Sequence, residues 1–208
     1  MQLSDLKNRL RNYPVFSTRD LQLFDKVSKH TLETQISNWV KKGELIQLKK
    51  GLYCFNPKIS GAEISKLVIA NKLYEPSYIS LEYALSYYGI IPDVVFQITS
   101  ITNKKTSKFE NKLGIFYYHH VKSLMFFGFH QKKISNNVVL IADKEKALID
   151  YLYINLNRIE PKMKYLKELR LQNVKQLGKT KLGLYARATH KIKIMQVIEL
   201  LKKYDELD

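Results

Sequence analysis

The segment 17–55 restricts the possible folds most strongly, because two short helical patterns run directly into a hairpin pattern. The helical patterns cover 17–24 and 28–42. A hydroxyl can cap the first free backbone N–H groups of each helix, from Ser17 or Thr18 in the first and from Ser28 in the second. Two apolar runs at 45–48 and 52–55 then predict strands joined by a tight basic turn. Helix, helix and hairpin in this order predict a winged helix-turn-helix, in which the second helix reads DNA.

The second predicted helix has an apolar side and a polar side. Leu32, Ile36 and Trp39 recur at helical spacing, so we expect that side to pack into a core, with Trp39 in a purely structural role. The polar side carries groups able to hydrogen-bond base edges and phosphates, and the turn between the strands adds two lysines. The candidate DNA contacts are Lys29, His30, Thr31, Thr34, Gln35, Asn38, Lys41, Lys42, Lys49 and Lys50.

The charge balance also favours a nucleic-acid partner. The chain has 35 Lys plus Arg against 19 Asp plus Glu, a net charge of +16. The last quarter is the most basic, with 13 basic and 6 acidic residues over 156–208. Charge alone does not separate DNA from RNA or from an acidic protein partner. Further candidate nucleic-acid contacts are Lys104, Lys105, Arg158, Lys162, Arg187 and Lys191.

Beyond the first domain the patterns mix helices and strands and then become helical. We expect an α+β protein with a winged helix-turn-helix domain at 1–57 and a mixed α/β domain at 58–208, strand-containing over 58–143 and basic and helical over 144–208. Ser80 is placed to cap a helix that Gly89 ends. Predicted helices cover 2–11, 81–88, 144–156, 161–169, 173–189 and 191–204, and predicted strands cover 94–101, 113–120 and 138–141.

Several protein classes are disfavoured by what the sequence lacks. The chain starts with closely spaced charges instead of an apolar leader, and its apolar runs are too short to cross a bilayer, so we expect a cytoplasmic protein without a membrane partner. Cys54 is the single cysteine, which rules out an internal disulfide.

A nuclease is the enzyme class that deserves comparison, because winged helices are sometimes joined to one. A metal-dependent nuclease needs clustered carboxylates and a lysine near the scissile phosphate. Asp93 could supply one carboxylate, and the rest of the site would be an acidic residue two positions before a lysine on a following strand. Segment 143–146 has the wrong spacing for this triplet, and segment 160–162 contains a proline unsuited to a central strand. We therefore expect no catalytic residues and rank a nuclease as the least favoured alternative.

Other reactive groups also fit structural roles better. His119 and His120 are adjacent on a predicted strand and point to opposite faces, so they cannot share a metal. Glu145 and Asp150 fit the start and the outer face of a helix, as a dipole partner and a surface charge. We expect no metal and no cofactor. The tyrosines could stack on bases, although packing is the simpler expectation for them; they are Tyr78, Tyr83, Tyr87 and Tyr88.

The order of several motifs resembles the AbiEi antitoxins. The matching segments are 50–53 at the end of the predicted winged helix, 76–85, 87–92, the basic hairpin formed by 99–108 and 114–119, and the helix opening 145–150. The resemblance covers residue 17 to about residue 156. Residues 157–208 are similar to the family only in being basic and helical.

This resemblance implies the antitoxin of an abortive-infection, phage-defence toxin–antitoxin pair, whose toxin is nucleotidyltransferase-like. The winged helix would bind double-stranded operator DNA and repress its own promoter, and the second domain would relieve toxicity, often without a stable toxin complex. The DNA contacts that it implies are Lys29, His30, Thr34, Gln35, Asn38, Lys41, Lys49 and Lys50. The alternative is a module that neutralises by direct contact with the toxin or an RNA and has only nonspecific DNA affinity.

Overall fold

The computed structural model describes residues 2–10, 12–24, 28–61, 64–134 and 136–204, and the fold is α+β as expected. Its N-terminal part is a small helical unit with a three-stranded antiparallel sheet in the order β1-β3-β2. The elements are α1 (Leu3–Arg9), β1 (Val15–Ser17), α2 (Thr18–Phe24), α3 (Lys29–Lys41), β2 (Leu45–Lys49), β3 (Leu52–Phe55) and α4 (Pro57–Ser60). Helix, helix and hairpin follow one another in the order that a winged helix requires.

The second part contains a six-stranded mixed sheet in the order β6-β7-β5-β4-β9-β8 and a set of helices. Its elements are α5 (Lys66–Leu73), β4 (Ser77–Ile79), α6 (Leu81–Tyr87), β5 (Ile98–Thr102), β6 (Ser107–Asn111), β7 (Gly114–His120), β8 (Phe129–Ile134), β9 (Asn137–Ala142), α7 (Lys144–Ile154), α8 (Met163–Glu168), α9 (Lys179–Ala188) and α10 (Ile192–Tyr204). Strand pairs β4–β9 and β5–β7 are parallel, and the others are antiparallel. No helix in the described ranges has the length and apolarity needed to cross a membrane.

The structure differs from the predicted secondary structure at three places. The strand predicted at 94–101 begins only at Ile98, and the side chain of Phe96 is 84% exposed. The helix predicted at 173–189 is a short 3-10 turn followed by α9, because the backbone at Leu177 is extended between them. Strands β6 and β8 were not predicted, since both are polar edge strands whose apolar alternation is weak.

The hairpin of β2 and β3 lies between two hydrophobic cores and contributes side chains to both. Successive side chains on a strand point to opposite faces, and here both faces are covered. Leu45, Tyr53 and Phe55 belong to the smaller, N-terminal core, whereas Ile46, Leu48 and Cys54 belong to the larger core of the second part. The hairpin therefore couples the N-terminal unit to the rest of the chain through packing.

Candidate nucleic-acid interface

Helix α3 is fixed at both ends by the residues that the sequence indicated. The Ser28 hydroxyl accepts a hydrogen bond from the Thr31 backbone N–H at 3.2 Å. Gly43 has a φ of +73°, a conformation that few residues other than glycine adopt at low cost, and the chain turns there into β2. Leu32 and Ile36 are buried, and Trp39 packs against the same core with part of its surface exposed. The opposite side of α3 is thereby held towards solvent.

The side chains on that exposed side form a stripe along the helix. His30, Thr34, Asn38 and Lys41 follow one another at intervals of three or four residues, and all four are exposed. The Thr34 hydroxyl donates to the His30 carbonyl at 3.0 Å, which fixes its direction. Within the described part of the chain, the side chains of His30 and Asn38 have no hydrogen-bond partner. This stripe presents free donors and acceptors of the kind that read base edges.

The other predicted contacts on α3 lie at its margins or are already engaged. The ammonium group of Lys29 is 4.0 Å from the Glu33 carboxylate, with both side chains exposed. The Thr31 hydroxyl lies 2.8 Å from that of Ser28 and belongs to the cap. The side-chain oxygen of Gln35, Oε1, is buried, so this side chain is turned partly inward. Lys42 is exposed at the end of the helix.

The two lysines of the hairpin turn have different surroundings. Lys50 is exposed. Lys49 is half-buried, and its ammonium group donates to the carbonyl oxygen of Leu73 and lies 5.6 Å from the centre of the Phe109 ring. Burial lowers the pKa of Lys49, and the nearby charge of Lys104 lowers it further. The structure thus turns Lys49 towards the second part of the protein and leaves Lys50 as the cation available at the tip.

The additional basic candidates are spread over several elements. The ammonium group of Lys104 donates to the Glu75 carbonyl and lies 5.6 Å from the centre of the Tyr74 ring. Lys104 and Lys105 border a shallow depression of about 680 Å³ beside His120. Lys162 lies 3.4 Å from the Glu160 carboxylate. The remaining basic candidates, Arg158, Arg187 and Lys191, lie in the helical part that follows α7.

A buried polar cluster on α7 corrects one expectation and reveals residues that sequence reasoning missed. Asp150 was expected on an outer face, but its side chain is fully buried, as is that of Lys146. The carboxylate accepts hydrogen bonds from the Lys146 ammonium, from the Tyr78 hydroxyl at 3.0 Å and from the Ser80 hydroxyl at 2.8 Å. Burial raises the pKa of Asp150, and these three donors oppose the rise. Ser80 therefore serves Asp150 and makes no side-chain cap.

Glu145 is buried as well, for the same reason. Helix α7 packs against α6, β9, α9 and α10, and all its residues from Glu145 to Asp150 are buried. The Glu145 carboxylate accepts from the Gly178 backbone N–H at 2.8 Å and lies 3.5 Å from the Lys181 ammonium. The sequence did carry a signal for the buried cluster, because Lys146 and Asp150 lie four residues apart inside an otherwise apolar run. Among the described residues, no group of His, Cys, Asp and Glu side chains could hold a metal ion.

Comparison with known families agrees with the geometry of the N-terminal unit. Residues 5–56, a quarter of the chain, match the family model described as "Transcriptional regulator, AbiEi antitoxin". The match spans α2, α3 and the hairpin and ends where α4 begins. No curated protein matches the chain. The regulator assignment therefore rests on the unit that presents the exposed stripe of α3.

Proposed function

We propose, from an N-terminal unit that carries the sequence pattern of AbiEi antitoxin regulators, that this protein is an antitoxin which represses its own operon. In this proposal residues 1–57 act as a winged helix-turn-helix on double-stranded operator DNA. The observation that carries the proposal is the exposed stripe on α3, because it lies within the matched residues and has side chains free to bind.

The chemistry of the stripe suits the major groove. A groove about 12 Å wide admits a helix, and an asparagine can make two hydrogen bonds to an adenine edge. Asn38 is the residue that we assign to base recognition. Lys41 and Lys50 are placed to neutralise phosphates, which position the protein without reading sequence. We leave Lys49 out of this set, since its ammonium group is engaged by the Leu73 carbonyl.

We further propose that residues 58–208 counteract a nucleotidyltransferase-like toxin in an abortive-infection, phage-defence operon. The support is the resemblance of the 76–92 and 145–150 segments to the AbiEi antitoxins. In the structure these segments meet, because Tyr78 and Ser80 bind Asp150. We propose a cytoplasmic, non-enzymatic role for the second domain, without cofactor or metal.

The repressor role is tested by a footprint on the DNA upstream of the operon, repeated across a salt series. We expect discrete protected repeats for the wild-type chain, and loss of base preference for Asn38→Ala. A matched control is Asn136→Ala, which removes an exposed asparagine from the turn between β8 and β9. Uniform weak binding of the wild-type chain that salt abolishes would remove sequence-specific repression from the proposal, whereas equal footprints for the two variants would remove only the assignment of base recognition to Asn38.

The antitoxin role needs a separate readout, because repression alone also lowers toxin levels. The toxin gene is placed under an unrelated promoter and expressed with the full-length antitoxin. We expect the Asn38→Ala variant to restore growth as well as the wild-type chain does, since residues 58–208 are intact. If growth fails with this variant but not with Asn136→Ala, neutralisation requires DNA binding. If the wild-type chain itself fails to restore growth, the protein is not the antitoxin of that toxin.

A further inference from the structure

A groove of about 1020 Å³ lies between α4 and elements of the second part of the protein, and its described lining includes no residue of α3 or of the β2–β3 turn. It is bordered by α4, the start of α5, α6, the turn between β6 and β7, and the end of β8. Apolar side chains, including Ile64, Leu113 and Ile134, line part of its surface. A groove of this size is at the upper end of the roughly 300–1,000 Å³ typical of small-ligand sites, so it can hold several monomers of an oligomeric ligand.

Four lysines line this groove, and they are Lys58, Lys66, Lys132 and Lys133. No carboxylate is among its described lining residues. Within the part of the chain that the structure describes, none of these lysines forms an ion pair, whereas Lys72, Lys108, Lys162 and Lys202 elsewhere do. Among the described residues, the groove therefore concentrates positive charge without a paired carboxylate, which makes it complementary to a polyanion.

Two aromatic rings from α6 line the same groove. Tyr87 is 41% exposed, although packing was the simpler expectation for it, and Tyr83 is half-buried. The hydroxyls of Tyr78 and Tyr88 donate to the Asp150 carboxylate and the Ala142 carbonyl, and the Tyr87 ring meets the Tyr88 ring edge-on, with 5.2 Å between the ring centres. The ammonium group of Lys132 lies 4.5 Å from the centre of the Tyr87 ring. This cation therefore rests on an aromatic ring, and an incoming phosphate would be a stronger partner for it.

We propose that this groove binds a single-stranded nucleic acid, with phosphates on the lysines and an unpaired base on Tyr87. Stacking on a tyrosine requires an exposed base face, and a duplex hides the faces of its bases between neighbouring pairs. An acidic peptide would also satisfy the lysines, but it offers no ring for Tyr87 to stack on. The inference does not depend on the repressor role, which uses α3.

The test uses the full chain and a labelled, mixed-sequence single strand of about 12 nucleotides, made once as RNA and once as DNA. Binding is followed by fluorescence anisotropy across a salt series. The first variant, Lys132→Ala with Lys133→Ala, removes phosphate contacts. The second, Tyr87→Leu, removes the stacking face and keeps the charge. The matched control is Lys164→Ala with Lys167→Ala, which removes the same charge from exposed positions on α8, outside the groove.

We expect Tyr87→Leu to weaken single-strand binding about tenfold, because stacking is a main source of affinity at such sites. The lysine variant should lower the slope of log affinity against log salt by about 0.7 for each lost contact. Both variants should bind operator duplex as the wild-type chain does. Tighter binding of the RNA or of the DNA strand supports the inference in either case and identifies the source of the ligand.

Two results would overturn the inference. If the α8 control weakens binding as much as the groove variant does, the interaction is nonspecific attraction to a basic protein. The second result is that a glutamate-rich peptide displaces the labelled nucleic acid from the wild-type chain while the Tyr87→Leu variant binds the nucleic acid normally. The groove would then be a site for an acidic protein partner. Because operator binding is measured on the same variants, failure of this inference is distinguishable from failure of the repressor proposal.

Discussion

The ammonium group of Lys49 donates a hydrogen bond to the backbone carbonyl of Leu73, so the hairpin turn of the N-terminal unit is bound to the end of α5. A second bond reinforces this contact, because the Asn111 side-chain amide donates to the Leu48 carbonyl at 3.2 Å. The neighbouring Lys50 points to solvent. Two adjacent lysines with the same sequence signal therefore have different surroundings.

This difference predicts different effects of the same substitution at the two positions. Lys50→Met should lower the salt slope of operator binding by about 0.9, the value expected for one lost phosphate contact on duplex DNA. Lys49→Met should leave that slope unchanged and lower the free energy of unfolding by about 1–3 kcal/mol, because the bond from a charged donor is lost. Salt-dependent binding titrations and urea unfolding measure the two effects. A smaller slope for Lys49→Met would show that its ammonium group reaches DNA.

The hairpin also shows how far sequence reasoning reached. The ends of α3 were predictable because Ser28 and Gly43 are local signals, whose effect depends only on neighbouring residues. The alternation of 45–48 and 52–55 indicated strands, but not which core each face would join. The partners of Lys49 lie at positions 73 and 109, and no local pattern connects them. Expectations failed where the outcome depended on distant parts of the chain.

The same limit explains the error at α7. An acidic residue in the middle of a helix usually marks a solvent-facing side. Asp150 is buried nevertheless, because Lys146 precedes it by one helical turn and Ser80 reaches it from the end of β4. The local pair was visible in the sequence, whereas the serine lies 70 residues away along the chain. The burial of this carboxylate therefore depends on a contact between distant segments, which the local sequence pattern cannot predict.

The buried pair predicts a large and non-additive loss of stability. Asp150→Ala should lower the free energy of unfolding by about 3–5 kcal/mol, because it leaves the Lys146 ammonium buried without a counter-charge. Adding Lys146→Met to that variant should restore part of the loss, since the uncompensated charge is then removed. Urea unfolding of the single and double variants measures both steps.

An exposed pair with the same spacing provides the control for this prediction. Lys164 lies 3.9 Å from Glu168, also four residues away and with both side chains exposed. Glu168→Ala should change the free energy of unfolding by no more than about 1 kcal/mol. A similar cost for Asp150→Ala and Glu168→Ala would mean that the burial of Asp150 has no energetic weight. Strictly additive effects of the two α7 substitutions would show that the charges do not interact.

The Lys146 side chain also makes Gly128 sensitive to substitution. Gly128 has a φ of +74°, and a Cβ atom added there would lie 2.9 Å from the Lys146 Cγ. Gly43 has nearly the same φ, +73°, but an added Cβ would meet nothing within 4 Å. Both alanine variants suffer the backbone cost of about 1–2 kcal/mol for a left-handed residue. Only Gly128→Ala should suffer a further loss from the clash, and the difference in unfolding free energy measures it. Equal losses would show that the surroundings of Lys146 relax freely.

The burial of His119 on β7 predicts a pH effect on stability. His119 is half-buried, and burial lowers its pKa from the ordinary value, with the Glu82 carboxylate opposing the shift. His120 is exposed, and its Nδ1 lies 2.9 Å from the Lys104 carbonyl oxygen. For His119 the unfolded chain binds a proton more readily than the folded chain does. Its contribution to stability is therefore complete above about pH 6.5, the unfolded pKa, and is lost as the pH falls through the lower folded pKa.

We expect the unfolding free energy of His119→Gln to fall less than that of the wild-type chain when the pH drops from about 7.5 to about 5.5. The reason is that glutamine, unlike histidine, takes up no proton on unfolding. The measurement is urea unfolding at several pH values in this interval, with the wild-type chain and the variant at the same salt concentration. A profile for His119→Gln that parallels the wild type would mean that the burial of this ring does not change its proton affinity.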